Sequence, residues 1–175
     1  MADIITCFDF ITTRSGHIFK LSNPQPYYGM IYDIAWSLSM QCRFCGHTKY
    51  FYSVAEHCYR MSLEVPKAYA LAALLHDASE AFISDIPKPV KELSQEIKEL
   101  EDNISRMIME HFNISHIDYD LLHSWDLKMF ATELRDLLDF DGQISYQAID
   151  NYIIEPVSQQ RSMRDYLDRF FELRR

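Results

Sequence analysis

Five residues carry the chemistry this sequence offers. His76 and Asp77 are adjacent in Leu74-Leu75-His76-Asp77-Ala78, within an apolar stretch. A carboxylate is rarely buried unless it is paired or bound to a metal. Glu80 follows His76 at the i+4 position, which puts the two on one face of a helix. His57 closes Ser53-Val54-Ala55-Glu56-His57, and Asp126 lies in the mostly apolar Leu122-His123-Ser124-Trp125-Asp126-Leu127. Two imidazoles and two carboxylates from three helices suit one divalent cation, because bundle cores build metal sites from inward side chains of facing helices. Taken singly, each has an ordinary alternative as a hydrogen-bonded core histidine or a helix-end acid. Together, in apolar helices, they favour the metal.

The elements that must position these groups read as mostly α-helical. A β-hairpin is expected first, from Phe8–Thr13 and His17–Leu21 around a turn at Arg14-Ser15-Gly16. Ser22–Tyr28 contains two prolines and reads as a loop. Ile31, Ile34, Ala35, Leu38 and Ser39 then mark one buried helix face. Ser53 and Glu56 form a capping box that starts a helix running to about Val65. A third helix is expected from about Pro66 to Ser84, ended by Pro87 and Pro89. An amphipathic helix follows over Val90 to about Phe112, another over roughly Ile117–Leu138, and a last one from about Val157 to Arg175 with basic residues at its C-terminal end. The expectation is one domain over residues 1–175, with its motif-bearing core at about 30–140.

Composition narrows the function classes. The chain has 175 residues and a net charge of 17 − 26 = −9, which argues against a partner of long nucleic acid. Its 4 glycines are scattered, so a P-loop or dinucleotide fingerprint is excluded. The N-terminal MADIITCFDF lacks the basic region and apolar run of a secretory signal, and no apolar stretch is long enough for a membrane span. With 4 cysteines and no signal, a cytoplasmic location with free thiols is expected. Cys42 and Cys45 form half of a structural zinc motif, to which His47 or Cys58 could add a ligand, but the other half lacks the usual spacing.

The order His57, His76-Asp77, Asp126 resembles the signature of HD-domain phosphohydrolases. Arg43 with Gly46-His47-Thr48, Tyr52-Ser53-Val54-Ala55-Glu56-His57, Leu74 through Phe82, Asp85-Ile86-Pro87, Pro89-Val90-Lys91 and Ala131-Thr132-Glu133 extend the likeness over about residues 10 to 140. They look like the small YfbR-like 5′-deoxynucleotidases and related phage enzymes, and the compact size with the Thr12–Gly16 hairpin looks most like the phage members, among them the DatZ-type dATP triphosphohydrolases. The resemblance implies an all-α HD bundle with a small N-terminal hairpin. It implies that His57, His76, Asp77 and Asp126 hold one divalent metal, with Zn²⁺, Co²⁺, Mn²⁺ and Fe²⁺ all compatible with this ligand set, and Mg²⁺ accompanying a triphosphate.

Further roles follow from the resemblance. Glu80 is the candidate general acid or base, with Asp85 a weaker catalytic candidate that orients water or sugar. Arg43 and Lys91 are candidates to bind phosphate, and Pro89 is a candidate wall of the base pocket. The reading is a metal-dependent deoxynucleotide phosphohydrolase, with a dNTP triphosphohydrolase preferring dATP placed ahead of a 5′-deoxynucleotidase acting on dNMPs. A non-catalytic nucleotide sensor and a di-iron HD oxygenase are the alternatives from other classes. The expected partners are a small deoxynucleotide and further copies of the chain, as a dimer or hexamer, in the cytoplasm (the host's, if the gene is a phage's).

Overall fold

A computed structural model describes residues 9–115 and 117–175. The expected hairpin is present as β1, Phe10–Thr12, paired antiparallel with β2, Ile18–Lys20, with Ile11 opposite Phe19. Phe8 lies outside the described residues. A pair of three-residue strands is marginal alone, and side chains dock this one. Phe19 is buried and stacks on Phe82, with ring centroids 4.0 Å apart. The turn is pinned to the first helix, where Asp33 accepts from Ser15 N (3.0 Å), Ser15 Oγ (2.6 Å) and Tyr27 Oη (2.8 Å).

Helices make up the rest. They are α1, Met30–Met40; α2, Val54–Glu64; α3, Ala70–Leu75; α4, Glu80–Ile83; α5, Lys88–Lys91; α6, Gln95–His111; α7, Tyr119–Leu137; and α8, Gln159–Leu173. The expected α1 face is the buried one, since Ile31, Ile34, Ala35, Leu38 and Ser39 all turn inward. Helix α2 packs against α1, α3, α7 and α8. Helix α8 buries Ser162, Tyr166 and Phe170 at i, i+4 and i+8, so its inward stripe joins the same core as α1 and α2. The C-terminal helix is thus part of the frame that carries the site.

Several expected boundaries move. The single helix over Pro66–Ser84 is a 3₁₀ turn at Lys67–Tyr69, then α3, then a tight turn through His76–Ser79, then α4. In that turn Ala78 N bonds Leu75 O and Glu80 N bonds Asp77 O, both at 3.0 Å, so i→i−3 bonds replace the α pattern. The shared α-helical face expected for His76 and Glu80 is replaced by this tighter winding. The helix over Val90–Phe112 is two pieces, because Ser94 caps a fresh start by accepting from Ile97 N. Pro89 sits in the first turn of α5, where its missing N–H costs nothing, so it begins a helix as well as ending one.

Only half of the capping box forms. Ser53 Oγ accepts from Glu56 N at 3.1 Å, but the Glu56 carboxylate turns to Arg60 (2.7 Å) and Val157 N (3.1 Å). Arg60 also bonds Tyr152 Oη and Glu155 O, so these groups tie the irregular segment before α8 onto α2. The basic C-terminal end does not cap its own helix: Arg174 donates to Phe112 O at 2.7 Å. Among the described residues, no helix is long and apolar enough to cross a membrane.

Candidate metal centre

Three elements bring the four expected ligands together. The Ser53 cap fixes the first turn of α2 and with it His57; the tight turn after α3 presents His76 and Asp77; α7 presents Asp126. His57 Nε2 lies 3.3 Å from His76 Nε2, 3.3 Å from Asp126 Oδ1 and 3.6 Å from Asp77 Oδ2. His76 Nε2 lies 3.2 Å from Asp77 Oδ2 and 4.0 Å from Asp126 Oδ1. Donor atoms about 2.0–2.2 Å from one ion stand roughly 3–3.5 Å from one another, which is close to the spacing here.

The tautomers sharpen the point. His76 Nδ1 is 2.8 Å from Ala73 O, and a carbonyl only accepts, so Nδ1 carries the proton. His57 Nδ1 is 2.6 Å from Glu133 Oε1. Burial pushes Glu133 up, but Arg43 and His57 outweigh it and hold Glu133 below its ordinary value, as a carboxylate. His57 Nδ1 therefore donates as well. In the neutral imidazoles, both Nε2 atoms then present lone pairs to each other and to two carboxylate oxygens. Four acceptors facing one point repel unless a cation joins them, and the donor set of imidazole and carboxylate fits a divalent metal.

The electrostatics agree. Burial pushes Asp77 up, yet His76, His57 and Arg43 bring it well below the carboxylate range. Burial also opposes charge on His57 and His76, but their carboxylate neighbours prevail and raise both. The site attracts positive charge.

Glu133 is the site residue the roles drawn from the sequence leave out. It is fully buried on α7 and uses both oxygens: Oε1 for His57, and Oε2 for Arg43 Nε (3.3 Å) and Nη2 (3.1 Å). Its signal was present, two turns beyond Asp126 in Ala131-Thr132-Glu133.

Arg43, expected to grip phosphate, has two of its nitrogens occupied by Glu133. Its Nη1 stands 3.6 Å from Asp77 Oδ2, beyond a hydrogen bond, and so keeps donor capacity facing the metal centre. Arg43 precedes a 3₁₀ turn in which Phe44, Cys45 and Gly46 all have positive φ (55°, 52° and 80°). Left-handed backbone at two non-glycine residues is strained, and this strained turn directly follows the arginine of the site.

The remaining expected residues lie to one side. Glu80 is buried; its Oε1 accepts from Lys91 Nζ at 3.1 Å, while Oε2 is buried without a hydrogen-bond partner among the described residues. Burial, Asp77 and Asp85 raise Glu80 well above the usual carboxylate value. Asp85 is raised by burial and by Asp77, against Arg43 and His57. Its backbone N donates to Gln41 Oε1, while Gln41 Nε2 donates to Glu80 O, so Gln41 staples the two acids' chain segments together. Lys91 also bonds Glu101 Oε1 at 2.5 Å, so both of its contacts are carboxylates where phosphate was expected. Pro89 lies in the first turn of α5.

Among the described residues, the groups able to hold a metal are His57, His76 and Asp126, and Cys58, His76 and Asp77. Neither contains Cys42, Cys45 or His47, and Cys45 is exposed, so the rival zinc motif does not assemble. Cys58 is buried, which pushes its thiol up to about 11. A cavity of about 390 Å³ opens beside the centre, with His76 and Asp126 on its wall and Glu101, Arg106, Tyr119 and His123 around it.

Comparison with known proteins places this geometry. A family model for 5′-deoxynucleotidase YfbR-like proteins matches residues 39–144, which contain all four converging ligands, Arg43, Glu80 and Glu133. The uncharacterized protein YfdR of Escherichia coli is 37% identical over 169 residues, 94% of this chain and 95% of its own length. An uncharacterized protein of Rhodobacter capsulatus is 34% identical over 110 residues, 57% of this chain and 56% of its own.

Proposed function

Since the chain belongs to the YfbR-like 5′-deoxynucleotidases, metal-dependent phosphohydrolases of the HD type, we propose that it removes the phosphate of a deoxynucleoside 5′-monophosphate. The observation that carries this is the convergence of four acceptor atoms, from His57, His76, Asp77 and Asp126, at 3.2–4.0 Å. These residues would hold the ion. A divalent metal there lowers the pKa of water and polarises a phosphoryl oxygen.

The protein's own groups do the rest. Arg43 Nη1 is the cationic donor available to a phosphate oxygen, its other nitrogens being fixed by Glu133. Water attacks phosphorus, the bond from phosphorus to O5′ breaks, and Glu80 Oε2 delivers a proton to the leaving O5′ and regains one from the phosphate product, which carries the protons of the water. Glu80 suits that role because burial, Asp77 and Asp85 raise it well above the usual carboxylate value and Oε2 has no hydrogen-bond partner among the described residues. Asp85, close enough to sense Arg43 and Asp77, is the candidate to orient water or sugar.

The family membership favours a monophosphate. Lys91 is engaged by Glu80 and Glu101, and Arg43 by Glu133, so Arg43 Nη1 and the cavity-lining Arg106 are the cations nearest the centre for phosphate oxygens. A dNTP triphosphohydrolase preferring dATP, the finer reading drawn from the phage-like compact size and N-terminal hairpin, stands as the second outcome of one experiment. The metal-loaded protein is incubated with deoxynucleoside mono- and triphosphates, with and without chelator, and products are separated by chromatography. Deoxynucleoside plus inorganic phosphate from dNMPs supports the proposal. Triphosphate released from dATP replaces it with the second reading, and binding without turnover replaces both with a sensor. A cytoplasmic homo-oligomer, dimer or hexamer, belongs to the same reading, and light scattering on the purified protein measures its size.

A further inference from the structure

Lys91 stands between two acidic side chains from different elements. Its ammonium lies 3.1 Å from Glu80 Oε1 and 2.5 Å from Glu101 Oε1, so α6 holds the end of α5, and α5 holds the acid at the start of α4. The three side chains are 4%, 17% and 20% exposed, from Glu80 outward through Lys91 to Glu101. Glu101 also lines the cavity that has His76 and Asp126 on its wall. The chain of contacts therefore runs from this cavity to a buried acid whose second oxygen has no hydrogen-bond partner among the described residues.

We propose that Glu101 is a positioning residue for the hydrolytic reaction: it anchors Lys91, and Lys91 in turn holds Glu80 by Oε1 and leaves Oε2 free for the reaction. Three features support this. Lysine is a flexible point charge with four rotatable bonds, and a single carboxylate does not define where its ammonium sits. A second carboxylate does, and it comes from α6, a long helix with its own cap and buried face, whereas α5 is a single turn. Finally, a buried carboxyl with one free oxygen is useful only if the other is fixed, since rotation about the last bond exchanges the two. The inference rests on Glu80 acting as proton donor in the proposed reaction.

The test uses the full-length protein loaded with Mn²⁺ and Lys91→Met, Lys91→Arg, Glu101→Gln and the double variant Lys91→Met/Glu101→Gln. With a dNMP substrate, Glu101→Gln is expected to lower kcat by about tenfold, the scale of a misplaced catalytic group, while KM changes by less than about twofold. Lys91→Arg should restore much of what Lys91→Met loses. Because Glu101 acts through Lys91, the double variant should be no worse than Lys91→Met alone. Additive losses, or a Glu101→Gln variant with unchanged kcat, overturn the proposal.

A second measurement does not depend on turnover and separates this inference from the proposed reaction. Acetylation of Lys91 by acetic anhydride, followed by peptide mass spectrometry, should be at least about fivefold faster in Glu101→Gln than in the parent protein, because a free amine reacts and a doubly paired ammonium is protected. Equal rates overturn the anchoring role even if deoxynucleotides are hydrolysed. Faster acetylation in a protein that hydrolyses no deoxynucleotide leaves the anchor standing as a structural contact and overturns its catalytic part together with the proposed reaction.

Discussion

Glu133 Oε1 lies 2.6 Å from His57 Nδ1, and both side chains are fully buried. The other oxygen of the same carboxylate holds Arg43, so one group on α7 sets the ring orientation of a metal ligand and the position of the nearest arginine. Carboxylate partners of metal-binding histidines typically contribute 10–100-fold to affinity, roughly, through basicity and orientation. Glu133→Gln should therefore weaken metal binding by about that factor. Competition with a fluorescent chelator measures it, and unchanged affinity would separate Glu133 from the metal centre.

Metal removal should cost stability as well as activity. The four acceptors repel one another when no cation joins them, and binding only to the folded state stabilises it by about 4 kcal/mol at a thousandfold excess over Kd. Dialysis against chelator should lower the melting temperature, and Mn²⁺ or Co²⁺ should restore it. Asp126→Asn should show a much smaller metal-dependent shift. A melting temperature indifferent to metal in the parent protein would count against the site.

The pH profile should report Glu80. Its carboxyl is raised by burial, Asp77 and Asp85, so it stays protonated above the ordinary range. A proton donor works only while it holds its proton, so kcat should fall as pH rises through that raised value. Glu80→Gln should remove this limb and lower kcat by about 10²–10⁴. A profile of unchanged shape in that variant would assign the proton to another group.

Asp33 gives a separate pH dependence, in stability. Burial raises Asp33, but bonds from Ser15, Thr13 and Tyr27 outweigh it and leave the folded value lowered. A depressed acid stabilises the fold above its unfolded value, about 3.9, and that contribution fades as pH falls through the lower folded value. Asp33→Asn should cost roughly 1–3 kcal/mol at neutral pH. The gap to the parent protein, measured by urea unfolding, should hold above about pH 5 and close below about pH 4. A gap independent of pH would mean that Asp33 acts through packing alone.

The helices and the metal ligands were legible in the sequence for different reasons. Ile34, Leu38 and their neighbours declare a buried stripe by period, and Ser53 declares a helix start by its side chain. His57, His76, Asp77 and Asp126 stand out because polar groups in apolar runs need partners. The break after Leu75 was not legible, since His76 and Ser79 keep helical dihedrals and only the bonding pattern tightens. The pairing of Lys91 with Glu101 and of Arg43 with Glu133 was hidden for another reason. Each spans separate elements, and a charge run looks the same whether solvated or paired across a cleft.

The turn through His76–Glu80 makes spacing itself a functional quantity. Its backbone closes on itself every three residues, so Asp77 at one end and Glu80 at the other share one rigid frame. One alanine inserted between Ala78 and Ser79 would delete no functional side chain. It would swing Glu80 by about 120° relative to Asp77 and break its reach to Lys91. In this stretch the count of residues is as much a part of the machinery as their identity.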